Sequence, residues 1–170
     1  MDEAEFDEFY TSSFTRITGQ LYAMIGDRDE AQDCVQEAFV RAWSHRGRLE
    51  RDQSPEAWVR KTAYRLAVSR WRRTVRSRRD PDRALQPERH GASPDPERVA
   101  LINALRRLPE AQRQALVLHH VCDLPVQAVA AEVGAPEGTV KARLSRGRAA
   151  LLALLGDEPT NELTEGAGRA

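Results

Sequence analysis

The chain has 170 residues, 31% of them charged and only 6% aromatic, and a formal net charge of zero. That length allows one ordinary domain or two small ones. No stretch approaches the ~18–20 apolar residues that cross a bilayer, the acidic start lacks a signal peptide's basic-then-apolar plan, and Cys34 and Cys122 are too few for a disulfide framework; a cytoplasmic protein without membrane insertion is expected.

Phe6, Tyr10, Phe14, Ile17, Leu21 and Ile25 recur at helical spacing and predict a first helix over 5–25. Gly26-Asp27-Arg28-Asp29 breaks it, and Asp29 with Gln32 reads as an acid-type capping box for the next helix. There Ala31, Cys34, Val35, Ala38, Phe39, Ala42 and Trp43 share one stripe, with Asp33, Gln36, Glu37 and Arg41 largely off it. Ser54-Pro55-Glu56 is a helix start: a hydroxyl cap, then proline, then an acid in the first turn. The third helix turns Trp58, Val59, Thr62, Ala63, Leu66, Ala67 and Trp71 inward. Arg60, Lys61, Arg65, Ser69 and Arg72 are expected on its basic and polar face, which runs into an arginine-rich stretch over 70–79.

Residues 76–95, with Pro81, Pro87, Pro94 and Gly91, read as a flexible linker. Asp95-Pro96 restarts a helix with Val99, Ile102, Leu105 and Leu108 inward. Pro109-Glu110 opens another, to about Val121. A short apolar-patterned segment, Val126 to Val133, is followed by Gly134 and a second one that Leu151, Leu152, Leu154 and Leu155 extend. Two helices joined by a tight glycine-containing turn form a helix-turn-helix, whose second helix usually reads the major groove. Residues 156–170 read as a disordered tail. The fold class is therefore all-α: two small helical modules, 5–75 and 96–155, joined by a linker.

Charge is unevenly placed. Acids outnumber bases 12 to 6 over 1–55, bases outnumber acids 12 to 6 over 56–98 and 7 to 4 over 99–155, and the tail is acidic. An acidic front before a basic middle and a basic helix-turn-helix suggests two kinds of partner, one of them a polyanion. In the last helix Val140, Leu144 and Leu151 make a buried stripe, with Gly147 where another helix comes close. Thr139, Lys141, Ser145 and Arg146 lie off that stripe and combine donors with cations, as base edges and phosphates require. Trp58 and Trp71 could stack on bases, although their phase places them in the core. The acidic face of the second helix would be repelled by phosphate and suits a basic protein surface. His119, His120 and Cys122 lack a fourth ligand for a metal. No catalytic constellation, metal site or cofactor motif is found.

Asp29-Glu-Ala-Gln-Asp-Cys-Val-Gln-Glu-Ala-Phe-Val-Arg-Ala-Trp43 resembles the second conserved region of the extracytoplasmic-function (group IV) sigma factors of the sigma-70 family. Leu108-Pro-Glu-Ala-Gln-Arg-Gln-Ala-Leu116 and Gly134-Ala-Pro-Glu-Gly-Thr-Val-Lys-Ala-Arg-Leu144 resemble their fourth. The likeness covers about residues 5–155 in the family's order. It implies a non-enzymatic factor that binds core RNA polymerase and promoter DNA, and an anti-sigma partner. By resemblance Asp33, Gln36, Glu37 and Phe39 dock on polymerase. Arg60, Lys61, Arg65, Ser69 and Arg72 belong to the helix that reads and melts the −10 element. Thr139, Lys141, Arg143, Ser145, Arg146 and Arg148, with His119, serve the −35 element. The chain departs from the family's pattern in the loop before Trp58, at Arg65 where many members carry asparagine, and at Pro125 where a serine cap is common. A stand-alone helix-turn-helix regulator that acts without polymerase is the alternative; it has no use for the acidic second helix.

Overall fold

A computed structural model describes residues 1–49, 54–77 and 95–156. The expected linker, beyond its first residues, and the tail lie outside the described residues. All regular elements among the described residues are helical. α1 runs Glu3–Ile25, α2 Arg28–His45 and α3 Pro55–Ser77. α4 spans Pro96–Arg106, α5 Glu110–Leu116, α6 Val126–Val133 and α7 Glu137–Gly156.

Local chemistry sets the ends. Asp2 and Glu5 form a reciprocal capping box at α1: the Glu5 N–H donates to Asp2 Oδ1 at 2.9 Å and the Asp2 N–H to Glu5 Oε2 at 2.7 Å. Gly26 closes α1 with φ +73°, a left-handed conformation that glycine adopts without a Cβ penalty. Asp27, not Asp29, caps α2 by accepting the Glu30 N–H at 2.9 Å. Asp29 lies inside the first turn, so the capping box expected from Asp29 and Gln32 is replaced by a cap two residues earlier. Gly134, at φ +68°, ends α6 and turns the chain into α7.

The helix predicted to reach Val121 changes character part-way. After α5 the backbone widens into a π-helical turn, Val117–Val121, closed by the Cys122 N–H to the Val117 carbonyl at 3.0 Å.

In the first module α2 packs against both α1 and α3. Phe39 is the hub of its aromatic cluster, with ring centroids 5.0 Å from Tyr10, 5.3 Å from Phe9 and 6.1 Å from Phe14. In the second module α5 packs against α7 where Gly147 leaves room. A Cβ added there would lie 3.0 Å from Leu116 Cδ1 and 3.4 Å from Gln112 Cβ. The modules also meet each other. α1 touches α4 and the π-helical turn, and one cluster of buried apolar side chains runs through both.

Candidate nucleic-acid interface

The helix-turn-helix displays its polar residues as its apolar stripe dictates. Val140 and Leu144 are buried with Gly147, which turns Thr139, Lys141, Ser145 and Arg146 out to solvent. Arg143 is half-buried and Arg148 exposed. Neither Lys141, Arg143 nor Arg146 forms an ion pair with another described residue, so their charge is available to a polyanion. Arg148 Nε donates to His120 Nε2 at 3.3 Å. Burial, then the neighbouring His119 and Arg148, lowers the His120 pKa, in keeping with a neutral ring that accepts this bond. His119 is half-buried, and its Nδ1 lies 2.8 Å from the Leu124 carbonyl. Its ring thereby ties the π-helical turn to the loop before α6. Among the described residues no group of three or more His, Cys, Asp or Glu is arranged to hold a metal.

A second basic surface lies on α3. Arg65, Val68, Ser69, Arg72, Arg73 and Arg76 line a groove together with Tyr64 and with Glu110 of the second module. Lys61, half-buried, lies one turn before Arg65. Three of the side chains assigned to this helix from sequence, Arg65, Ser69 and Arg72, thus share one face at helical spacing. Trp71 lies beside them, 64% exposed. The sequence reading placed it inward; it sits in the last turns of α3, beyond the reach of the helices that cover Val59, Ala63 and Ala67.

Arg60 departs from the expected exposed position. It is 3% exposed, and its guanidinium makes a two-pronged ion pair with Glu132 of α6, at 2.8 Å from Nε and 2.7 Å from Nη2. Its remaining nitrogen donates to Gln20 of α1 at 3.2 Å. Burial pushes the Arg60 pKa down, but the hydrogen bond and charge of Glu132 outweigh it and the net shift is upward. The second module thus covers the start of the α3 face.

The acidic side of α2 divides in the same manner. Asp33 and Gln36 are exposed, and Val40, one further turn on, is 64% exposed and completes their row. Sequence reasoning missed Val40, although positions 33, 36, 37 and 40 follow the helical repeat. Glu37 is half-buried between Arg41 and Arg70. Hydrogen bonds from Arg70 first and Arg41 second hold its carboxyl below the ordinary range. Phe39 was expected on the docking face. At 2% exposure it is core instead, because the α1 aromatics enclose it. Arg70, read from sequence as part of a phosphate-binding run, also reaches Glu30 at 3.4 Å and clips α3 to α2.

Comparison with known proteins bears on both surfaces. The Sigma-70 region 2 family model matches residues 9–77, and the Sigma-70 region 4 model residues 98–151. The chain is 33% identical over 162 residues to the ECF RNA polymerase sigma factor SigC of Mycobacterium tuberculosis, covering 89% of this chain and 85% of the relative. It is 29% identical over 176 residues to the ECF RNA polymerase sigma factor SigW of Bacillus subtilis, covering 92% and 91%. Among solved structures, the sigma factor RpoE in complex with the anti-sigma factor NepR from Bartonella quintana superposes with a TM-score of 0.75 at 24% identity, over 91% of this chain and 98% of that one. CnrH in complex with the cytosolic domain of CnrY gives 0.69 at 22% identity, over 92% and 91%.

Proposed function

From the premise that this chain belongs to the sigma-70 family, as an extracytoplasmic-function sigma factor, we propose a division of labour among its surfaces. The protein binds core RNA polymerase and directs promoter-specific initiation; it is not an enzyme, and it is not a stand-alone regulator, since its first module matches sigma region 2. Asp33, Gln36 and the edge of Glu37, with Val40, form the polymerase-docking row; Phe39 and Arg70 hold that row in place from behind. Lys61, Arg65, Ser69 and Arg72 track the backbone of the −10 strand, with Trp71 available for base stacking. Thr139, Lys141, Ser145 and Arg146 enter the −35 major groove, and Arg143, Arg148 and His119 contact flanking phosphates. Arg60 joins the −10 surface only when the two modules separate. The protein works in the cytoplasm, where polymerase and promoter are. An anti-sigma protein that covers both modules is the expected inhibitor, as the RpoE–NepR complex has one.

The observation that carries this reading is the solvent-facing Lys141, Ser145 and Arg146, of which neither cation forms an ion pair among the described residues, in the chain segment matched to sigma region 4. Run-off transcription with core polymerase on a genomic fragment pool tests it. Discrete transcripts that depend on the protein and share upstream elements are expected. Core polymerase that initiates no better with the protein than without it would overturn the reading.

A further inference from the structure

The π-helical turn Val117–Val121 carries two adjacent histidines, and such turns within helices often mark functional sites. Consecutive residues of a regular α-helix do not face each other. In this turn the His119 and His120 rings nevertheless meet edge to face, with centroids 4.7 Å apart. The Leu124 carbonyl, 2.8 Å from His119 Nδ1, can only accept, so that nitrogen carries the proton and the ring is held there. His120 is exposed and reaches across to α7, where its Nε2 accepts from Arg148 Nε at 3.3 Å.

Arg148 belongs to the polar face of α7. Lys141, Ser145 and Arg148 are spaced four and then three residues apart, so they form one exposed row along the helix. In a helix-turn-helix the first residues of the second helix contact base edges. Arg148 stands about two turns beyond Lys141, which suits it to the backbone rather than to the bases. His120 engages its Nε, and no acid pairs with the guanidinium among the described residues. The two Nη atoms are left for an outside acceptor, and a two-pronged grip on phosphate is the geometry they favour. The bond to His120 thus orients the arginine without neutralising it.

His120 is the member of this group whose charge can change. The titratable groups acting on its ring are His119 on its own turn and Arg148 from α7. The other helices packed on the turn, α1, α5 and α6, bring no acid to the ring among the described residues. A neutral ring is therefore favoured in the free chain, as its bond from Arg148 requires. A phosphate held by the Nη atoms reverses this balance, because its negative charge stands beside the imidazole and favours the charged form. Once His120 is protonated, both of its nitrogens donate. It then gives up the bond from Arg148 and donates to the same phosphate. The proton comes from solvent, and only the N–H bond is formed.

We propose that His120 is a positioning residue for DNA: it aims Arg148 at a backbone phosphate of the bound duplex, and binding there takes up a proton on His120, so that affinity for duplex rises as pH falls. The sign follows from proton counting. The complex binds more protons than the separate partners, so affinity grows as pH falls through the His120 pKa of the complex and levels off below that of the free chain. Each unit between the two is a factor of about ten in affinity. This contact rests on the reading of α7 as the helix that meets duplex DNA. Its ligand is phosphate and not a base, so it holds for duplex of any sequence.

Fluorescence anisotropy of the full chain with a mixed-sequence duplex of about 20 base pairs, at constant low ionic strength, reads this affinity from about pH 8 down to about pH 6. Glu37 and Glu56, with lowered pKa values, stay charged throughout that window. Wild type should tighten on the order of tenfold toward the acid end. His120→Gln keeps an oxygen acceptor for Arg148 but takes up no proton. It should match wild type at the alkaline end and fail to tighten at the acid end; the other histidines are common to both proteins, so the difference belongs to His120. Arg148→Gln should bind more weakly at the alkaline end and also lose the tightening, because no phosphate is then held beside the ring. Wild-type binding that is absent or flat with pH would overturn the proposal, and so would either variant tightening as wild type does. Should His120→Gln lose helicity, NMR titration of the His120 ring in the unaltered chain decides: its midpoint should move up when the duplex is added, and an unmoved midpoint is equally fatal. Run-off transcription reports separately. Duplex binding indifferent to pH, together with promoter-specific initiation, removes the proton-linked contact and keeps the sigma-factor reading; proton-linked binding without initiation does the reverse.

Discussion

Single side chains carry the readout of DNA, and their accessibility decides which of them can. Lys141→Ala with Arg146→Ala should weaken −35-dependent initiation, since each lost base or phosphate contact costs ~1–3 kcal/mol. Duplex binding and run-off assays on the same promoter would both register it. Asp33→Lys with Gln36→Lys changes two exposed residues and should alter stability by less than about 0.5 kcal/mol. Co-purification with polymerase should nevertheless be lost; its persistence at the wild-type level would refute the docking row. The two thiols give a contrasting expectation. Burial, reinforced at Cys34 by the Glu30 carboxylate, pushes both pKa values up to about 12. Thiolate is the reactive species, so both cysteines should resist alkylation near neutral pH in the folded chain and react readily in denaturant. Residue types on the α7 face were legible in the sequence because period and charge coincide there. Arg60 was not, because its position on a basic helix says nothing about an acid 72 positions later.

Among the elements, α5 against α7 is the sharpest case. Gly147 sits mid-helix at some cost in propensity, and the reason is the Leu116 side chain 3.0 Å from where a Cβ would stand. Gly147→Leu should overpack this contact and cost about 1–3 kcal/mol, measured by chemical denaturation. Gly147→Ala should come out milder, because the gain in helix propensity opposes the clash and the neighbour is the tip of a flexible side chain. The glycine's meaning was readable in advance, since an apolar stripe interrupted by glycine announces a close neighbour. Which helix approaches it was not. Ends of helices were harder to place: both Asp27 and Asp29 can cap, and only the backbone at Asp27, extended at φ −128° and ψ 115°, is in the capping conformation. Trp71 shows the same limit, since its phase is apolar but the neighbouring helices do not extend far enough to cover it.

At the scale of the whole molecule, charge pairs tie helices distant in sequence, and they respond to acid. The pKa values of Glu37 and Glu56 are lowered from the ordinary 4.5, chiefly by hydrogen bonds from Arg70 and Arg16 respectively. A carboxyl depressed in the folded state binds fewer protons there than in the unfolded chain. Its contribution is complete above the ordinary value and is lost as pH falls through the folded one. The thermal midpoint should therefore drop as pH is lowered below about 5, and Glu56→Gln should flatten that drop. A midpoint that is independent of pH over this range would show that the pairs add nothing.

The sequence by itself determined the all-helical class, the order of the helices, the helix-turn-helix and the separation of acidic from basic faces. Those follow from periodicity, caps and composition, which are local and act along the chain. The family motifs then gave each face an expected partner. Tertiary structure decided which charges remain available. Arg60, Arg70 and Glu37 sit in segments rich in exposed charge, yet each is committed to a partner on another helix. Arg65, Arg72, Lys141 and Arg146, similar in type and setting, are left to solvent. The difference lies in packing: a charge is withdrawn from a surface when a second helix brings an opposite charge to it, with water largely excluded at Arg60 and only in part at Arg70 and Glu37, and such pairing leaves no mark in the local pattern.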